Sequence, residues 1–287
     1  MKMKEIVIRT ISGVVFTALT LASLIIDPHN PYPFLLLFSF YLVRTSYEYL
    51  RLTMGKGLVA VKVFALIACV CIFVLGSIAV LTSPVFVIMH WVAIALLFLI
   101  LFALPIAYLF SSGKCGFEYA WSSLVYIAVP FALLFWLGGW NIWGFNGWNI
   151  ASLLIIMWMG DIGAYCIGTA FGQGEHGHKL MPSVSPKKSW EGVFGAVILS
   201  VGTALALRAF DVLMPDYSYW TSALFGLTIC IFSILGDLVE SKLKRKFQTK
   251  DAGRIMPGHG GLLDRFDSGL LAFPAAFLFY LILESFC

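Results

Sequence analysis

Apolar residues along this chain fall into long continuous runs, and polar residues collect in the short segments between them. Each run is about 18 to 25 residues long, which allows a helix to cross the roughly 30 Å of hydrocarbon in a bilayer. The pattern therefore predicts an all-α, polytopic integral membrane protein with about nine transmembrane helices. The predicted spans are approximately 6–26, 33–53, 58–81, 85–110, 118–138, 148–170, 192–210, 219–240 and 268–284.

The composition supports the same class. Hydrophobic residues make up 60% of the 287 residues and charged residues only 12%, whereas about a quarter of the residues in a soluble domain are charged. The net charge of +4 is modest and implies no nucleic-acid partner. The first apolar run continues to Ile26 without a small-residue cleavage site, so it is interpreted as a transmembrane helix and not as a signal peptide.

Basic residues are concentrated in the connecting segments on one side of the predicted membrane. The connecting segments 27–32, 82–84, 139–147 and 211–218 contain no Lys or Arg. The other side carries Lys2, Lys4, Arg51, Lys56, Lys114, Lys179, Lys187, Lys188 and the cluster from Lys242 to Arg265. By the positive-inside rule, the N-terminus and the basic loops are expected in the cytoplasm. A compact chain without an organelle transit peptide suggests a bacterial inner membrane.

Two long polar segments, 171–191 and 241–267, lie on the expected cytoplasmic side. They hold most of the glycines, histidines and lysines that fall outside the predicted helices. We therefore expect residues 1–145 to form a scaffold of N-terminal transmembrane helices. Residues 146–287 are expected to supply the C-terminal helices and the cytoplasmic loops of a catalytic site.

Charged residues inside the predicted spans mark candidate sites, because each costs a few kcal/mol at the bilayer centre. Asp237, Glu240, Ser241 and Lys244 recur at helical spacing, so they form one polar stripe about 10.5 Å long. Asp161 lies on a helix face whose small residues would let another helix approach closely. The structural alternative for Asp161 is a hydrogen bond across two helices.

Arg44 and Glu48 also lie inside a predicted span. They are four residues apart, so they can pair with each other on one helix face. This structural interpretation is at least as well supported as a functional one. Neither residue is therefore assigned to the site, and Glu48 is kept in reserve.

The segment from Lys250 to Asp267 has the densest mixture of acids, bases and glycines. Gly258, Gly260 and Gly261 surround His259, which allows backbone N–H groups to approach an anion closely. Carboxylates supply hard oxygen ligands for Mg²⁺, and basic side chains neutralise phosphate charge. The segment therefore predicts a site for a metal-bound polyphosphate.

The second long polar segment contains Ser183-Val-Ser-Pro-Lys-Lys-Ser-Trp-Glu-Gly192. Pro186 predicts a turn, and Ser189 with Glu191 lies near a helix start whose free N–H groups also favour phosphate. By itself this string is equally typical of an ordinary basic loop at the cytoplasmic surface.

These strings resemble motifs of the phosphatidate cytidylyltransferase (CDP-diacylglycerol synthase) family. The C-terminal signature stands here as Ser241-Lys-Leu-Lys-Arg245, Lys250-Asp251 and Pro257-Gly-His-Gly-Gly-Leu-Leu-Asp-Arg-Phe-Asp267. Similar upstream motifs are Asp161 with Ala164-Tyr165, and Ser185-Pro-Lys-Lys188 before Glu191-Gly192. The resemblance is strong over about 158–284. In the part of the chain before residue 158, the main matches to the family are Arg9 and the pair Tyr47-Glu48. Two positions depart from the family's pattern. Ser189 stands where the family commonly has Thr, and Thr169 stands where the family often has a basic residue.

The resemblance implies a nucleotidyltransferase of phospholipid biosynthesis that joins CTP to phosphatidic acid in the lipid bilayer and needs Mg²⁺. Asp237 and Asp264 are expected to bind the metal, with Asp161 as a weaker third ligand. Asp237 and Asp264 are also expected to be catalytic, with Lys244, Arg245, His259 and Arg265 as catalytic phosphate contacts, and Lys187 and Lys188 are expected to bind substrate phosphate. Further expected substrate-binding residues are Ser185, Ser241, Lys250, Gly260 and Gly261. The sequence leaves a homodimer open.

Three other functions were compared with this one. A CTP-dependent lipid kinase has related membrane motifs but would release CDP and not diphosphate. A CDP-alcohol phosphatidyltransferase should carry an Asp-Gly-x-x-Ala-Arg motif, which is absent. An ion-coupled transporter could use Asp161 and Asp237 as a relay, but that function does not explain the glycines beside His259.

The expected orientation predicts opposite accessibility for Asn30→Cys and Lys250→Cys, each placed alone in a chain without its native cysteines. A membrane-impermeant maleimide should label position 30 in intact cells and position 250 only after the membrane is opened. Gel shifts of the labelled protein measure this, and equal labelling of both positions from outside would contradict the orientation.

Overall fold

The structure is a computed structural model that describes residues 2–81, 116–139, 144–173, 177–258 and 260–285. The described chain is mainly α-helical, which confirms the predicted fold class. The helices are α1 (Lys2–Ile25), α2 (Tyr32–Met54), α3 (Val59–Leu81), α4 (Phe117–Gly138), α5 (Gly147–Phe171), α6 (Trp190–Ala209), α7 (Tyr219–Lys246), α8 (Leu263–Phe266) and α9 (Gly269–Ser285). A π-helical segment, Leu124–Ala128, interrupts α4.

Seven of the predicted spans coincide with helices that are long and apolar enough to cross a membrane. They are α1, α3, α4, α5, α6, α7 and the segment Leu263–Ser285. The predicted span 33–53 forms the 23-residue α2, which carries Arg44, Glu48 and Arg51 and is not among these seven helices. The predicted span 85–110 lies outside the described residues, so the count of nine is not confirmed. The chain is an integral membrane protein.

Residues 1–147 and Asp251–Phe266 form one compact unit. Phe266 of α8 is buried among aromatic side chains from three other helices. Its ring centroid lies 5.1 Å from that of Phe131, 5.3 Å from that of Tyr41 and 5.9 Å from that of Phe16. Each such aromatic pair contributes about 0.5–1.5 kcal/mol beyond area burial. This cluster anchors the C-terminal end of the segment 251–266 to α1, α2 and α4.

Residues 148–250 and 267–287 form a second compact unit. Here α5 and α6 pack closely at Gly163 and Gly195. A methyl group added at Gly163 would overlap the carbonyl oxygen of Gly195, and a methyl group added at Gly195 would overlap the carbonyl oxygen of Gly163. Farther along, Gly168 and Ala164 lie against Gly192. This close approach confirms the helix face predicted around Asp161, since small residues let backbones pack directly in a bilayer.

The second unit also contains a short antiparallel hairpin of β1 (Lys179–Met181) and β2 (Ser185–Ser189). The turn predicted at Pro186 is wrong, because the turn lies at residues 182–184 and Pro186 is inside β2. Proline is tolerated there because a two-stranded sheet has only edge strands, where an N–H can be missing without breaking a ladder.

The helix contact predicts that Gly195→Ala destabilises the protein. The added methyl group would approach the backbone of Gly163 and lie 2.8 Å from Ile167 Cβ, and overpacking of this kind costs about 1–3 kcal/mol. The apparent melting temperature of detergent-purified protein should fall. The matched control is Gly202→Ala on the same helix, where an added Cβ meets no atom within 4 Å. Equal melting temperatures for the two variants would contradict the prediction.

Candidate functional site

One face of α7 carries the predicted polar stripe. The Asp237 carboxylate accepts a hydrogen bond from the Ser241 hydroxyl at 3.1 Å and pairs with Lys188 Nζ at 2.6 Å. One turn later, Lys244 forms an ion pair with the fully buried Glu240. The charges of the stripe are therefore paired within the second unit, which lowers their cost in a largely apolar helix.

The hairpin carries two of the expected phosphate contacts, Lys187 and Lys188, and the two side chains have different surroundings. Successive side chains of a strand point to opposite faces. Lys188 is half-buried against Asp237, whereas Lys187 is exposed and its carbonyl oxygen accepts a hydrogen bond from Gln173 at 2.7 Å. Arg245 of α7 donates to the carbonyl oxygen of Val184 at 3.4 Å. These contacts join the turn of the hairpin to the end of α7.

The start of α6 lies beside Ser189 and Glu191, where the sequence predicted a helix start. Ser189 Oγ accepts the backbone N–H of Gly192 at 3.2 Å, which satisfies one of the free donors in the first turn. Glu191 accepts the backbone N–H of His178 at 3.0 Å and lies 2.9 Å from its ring Nδ1. The Ser189 hydroxyl is buried and packs beside Gly172.

Three carboxylates of the second unit interact electrostatically. Asp267, which directly follows α8, interacts with Asp237 and Asp161, and Lys244 supplies the opposing charge. Asp267 is held in place because its carboxylate accepts the backbone N–H of Ser268 at 2.7 Å. Asp267 was not among the residues predicted for the site, although its position three residues after Asp264 in a dense acid–base motif was an available signal.

These carboxylates fit a magnesium ion in donor chemistry, since Mg²⁺ binds to oxygen ligands and is usually held by one or two carboxylates with waters and phosphates. Across the part of the chain that the structure describes, no three His, Cys, Asp or Glu side chains are arranged as a metal cage.

The segment 251–266 belongs to the first unit, and we call it the glycine loop. Asp264 Oδ2 accepts the backbone N–H of Gly261 at 2.7 Å and that of Ala252 at 3.0 Å. Gly260 has φ +80°, and an added Cβ there would lie 2.7 Å from the same Oδ2 atom. Asp264 therefore connects two parts of the loop, at Ala252 and Gly261, through hydrogen bonds to its carboxylate. Its role as a metal ligand stays a prediction.

The Pro257–Gly258 turn of the glycine loop rests on α1. The Ser12 hydroxyl donates to the carbonyl oxygen of Pro257 at 3.2 Å. Gly258 has φ +75°, and a Cβ at this position would lie 2.6 Å from Arg9 Cγ. The positive φ favours glycine at this position, and the exposed Arg9 side chain would have to move to admit a Cβ. The sequence identified Arg9 only as part of the family resemblance.

Glu48 of α2 lies against the opposite part of the loop. Its carboxylate is buried, pairs with Arg44 Nε at 3.4 Å and accepts the backbone N–H of Leu263 at 3.0 Å. The predicted pairing of Arg44 with Glu48 is confirmed, but the contact with the loop was missed. The available signal was a carboxylate inside an otherwise apolar helix.

The other predicted site residues have varied surroundings. Gly261 is buried, Ser185 is half-buried, and Asp161, Arg245, Lys250 and Arg265 are exposed. His259 lies outside the described residues. Within the second unit the structure brings together Lys188, Asp237 and Ser241, and within the first unit it brings together Asp264, Gly260 and Gly261.

Comparison with known proteins adds an independent result. The sequence profile of the Cytidylyltransferase family matches residues 7–283. Phosphatidate cytidylyltransferase of Staphylococcus epidermidis is 43% identical over 125 residues, which are 44% of this chain and 46% of that protein. The enzyme of the same name from Mycobacterium bovis is 36% identical over 159 residues, or 55% and 49% of the two chains. The Bacillus subtilis enzyme is 41% identical over 128 residues, or 45% of each.

The matched part spans about half the length of each of these curated relatives. The family profile, in contrast, extends from α1 through α9 and includes both the hairpin and the glycine loop. On the strength of that match over nearly its whole length, the chain belongs to the cytidylyltransferase family.

Proposed function

We propose that the protein is a phosphatidate cytidylyltransferase, a nucleotidyltransferase that converts CTP and phosphatidic acid to CDP-diacylglycerol and diphosphate. The observation that carries this proposal is the family match over residues 7–283, together with relatives that are named for this activity. The paired acids and bases on α7, the hairpin and the glycine loop support it, because they suit phosphate-rich substrates.

The main requirement of this reaction is that the two substrates are aligned, and no strong general base is required. A phosphate oxygen of phosphatidic acid is already anionic near neutral pH and attacks the α-phosphorus of CTP. A new P–O bond forms, the bond from the α-phosphorus to the bridging oxygen of the β-phosphate breaks, and diphosphate leaves. Because both substrates are polyanions that repel each other, the protein must hold them together with fixed cations.

Lys188 is one cation that the structure holds beside an acidic side chain. Its ammonium group lies 2.6 Å from Asp237 Oδ2, so it is held in a defined place beside a proposed metal ligand. We propose that Lys187, Lys188, Lys244, Arg245, His259 and Arg265 contact the phosphates. Ser185, Ser241, Lys250 and the backbone of Gly260 and Gly261 complete the proposed substrate contacts.

We propose Mg²⁺ as the divalent cofactor, held by Asp237 and Asp264 with Asp161 as a weaker third ligand. Asp267 joins this proposal because it interacts electrostatically with Asp237 and Asp161. When bound, Mg²⁺ would neutralise phosphate oxygens and polarise the α-phosphorus. The task of the protein's own side chains is to bind and orient both substrates.

The proposed location is a bacterial inner membrane with the site facing the cytoplasm. The bacterial sources of the similar proteins and the basic residues of the two long polar segments support this location. A cytoplasmic site would have direct access to CTP, and substrate and product lipids would stay in the bilayer.

The proposal predicts that detergent-purified protein, incubated with Mg²⁺, phosphatidic acid and CTP labelled at the α-phosphate, transfers label into the lipid phase. Diphosphate should appear in equal amount, because one bond forms for each bond broken. Thin-layer chromatography and a diphosphate assay measure the two products. CDP release with no label in lipid would instead identify a kinase, and no turnover of CTP would contradict the proposal.

Asp237→Asn and Asp264→Asn should each lower kcat by at least about 100-fold, as is typical for loss of a charged group that stabilises the transition state. The mutant proteins should still insert and purify, because asparagine has nearly the same shape as aspartate. Asp211→Asn is the matched control, since Asp211 is exposed and pairs only locally with Arg208. A near-normal rate for either site variant would remove that residue from the proposed role.

A further inference from the structure

The buried carboxylate of Glu48 has no part in the proposed chemistry so far. Glu48 lies in the middle of α2 and is 1% exposed. A buried carboxylate within an apolar helix is costly unless hydrogen bonds or charges compensate it. Its partners therefore indicate why the protein contains it.

The two carboxylate oxygens have different partners. Oε1 faces Arg44 Nε at 3.4 Å on the same helix, and Arg44 thereby balances the charge. Oε2 accepts the backbone N–H of Leu263 at 3.0 Å, although the two residues are 215 positions apart in the sequence. Leu263 is the first residue of α8, directly before Asp264 and Arg265. Glu48 thus fixes the backbone at the point where the loop presents two of the proposed site residues.

Two glycines of the loop are fitted around the same carboxylate. At Gly253, the three nearest atoms that an added Cβ would meet all belong to the Glu48 carboxylate group. At Gly261, an added Cβ would overlap Glu48 Oε2 and lie 2.8 Å from the backbone nitrogen of Gly253. Neither glycine has a positive φ. The absence of a side chain at Gly253 is therefore explained by the space that Glu48 occupies and not by the backbone conformation.

We propose that Glu48 is a positioning residue that sets the conformation of the glycine loop by accepting the Leu263 N–H and filling the space beside Gly253 and Gly261. Glu48 acts through the loop and does not touch substrate. The inference deepens the proposed function and rests on it, in that the loop is taken to bind substrate phosphates. The contacts of Glu48 with the loop are independent of that function.

The first test separates hydrogen bonding from charge. Glu48→Gln keeps an oxygen that can accept the Leu263 N–H, so its kcat/KM for CTP should stay within about 3-fold of the original. Glu48→Ala removes the acceptor and should lower kcat/KM by about 10-fold to 100-fold, mainly through a higher KM. If Glu48→Gln loses as much activity as Glu48→Ala, the charge itself acts in the reaction and the positioning role is overturned.

The second test does not depend on activity. Arg254 is exposed in the glycine loop, so limited tryptic cleavage after Arg254, followed by mass spectrometry, reports the order of the loop. Glu48→Ala should speed this cleavage about 10-fold, whereas Glu48→Gln should leave it nearly unchanged. Ser46→Ala is the matched control, because Ser46 is also fully buried on α2 and contacts Cys69 of α3. Equal acceleration in Ser46→Ala would assign the effect to general loosening of α2 and overturn the proposal.

The third test is a double-mutant cycle between Glu48 and Gly253. Gly253→Ala should speed cleavage and lower kcat/KM when Glu48 is present, but should add little in the Glu48→Ala background, where the space is open. If the effects of the two substitutions on cleavage rate and on kcat/KM are additive, the proposal that Glu48 fills the space beside Gly253 is contradicted. If Glu48→Ala does not accumulate, Glu48→Asp replaces it, because the shorter side chain also withdraws from Gly253.

The two proposals fail in different ways. If the original protein does not turn over CTP and phosphatidic acid, the proposed function fails, while the cleavage rates still test Glu48. If the original protein is active and Glu48→Ala matches it in both cleavage and kcat/KM, the positioning role fails and the proposed function stands.

Discussion

Charged side chains inside apolar helices must be paired, and this requirement organises both compact units of the protein. Glu48 pairs with Arg44 and with the backbone of Leu263. Asp237 pairs with Lys188 and Ser241. An unpaired charge at these positions would be costly in a bilayer. The pairs therefore fix α2 to the glycine loop in one unit and α7 to the hairpin in the other.

Glycine allows backbones and buried side chains to approach closely in both units. In the second unit, Gly163 and Gly195 bring α5 and α6 together. In the first unit, Gly253 and Gly261 leave room for the Glu48 carboxylate. The same residue type therefore serves helix packing in one unit and loop shape in the other. Substitution by alanine tests both uses, since the change adds only one methyl group.

The chemistry proposed for this family member fits the distribution of its charges. Two polyanionic substrates require cations at fixed positions, and a lysine held by a carboxylate has fewer conformations than a free lysine. The Lys188–Asp237 pair provides such a position. Asp264 uses its carboxylate to accept two backbone N–H groups, so the loop conformation depends on a residue that is also a proposed metal ligand.

The amino-acid pattern alone was sufficient for the helical membrane class, the polar stripe of α7, the helix start beside Ser189 and the pairing of Arg44 with Glu48. These features depend on composition or on residues within two helical turns, where spacing fixes geometry. The family resemblance rested on motifs that can be read along the chain.

Only the tertiary structure decided which distant groups meet. No local pattern indicates that Glu48 binds the backbone of Leu263, that Arg9 lies beside Gly258, or that Lys188, and not the adjacent Lys187, pairs with Asp237. The turn was wrongly placed at Pro186 because proline is compatible with both a turn and an edge strand. Contacts of this kind depend on how helices far apart in sequence pack, and spacing along the chain contains no information about that packing.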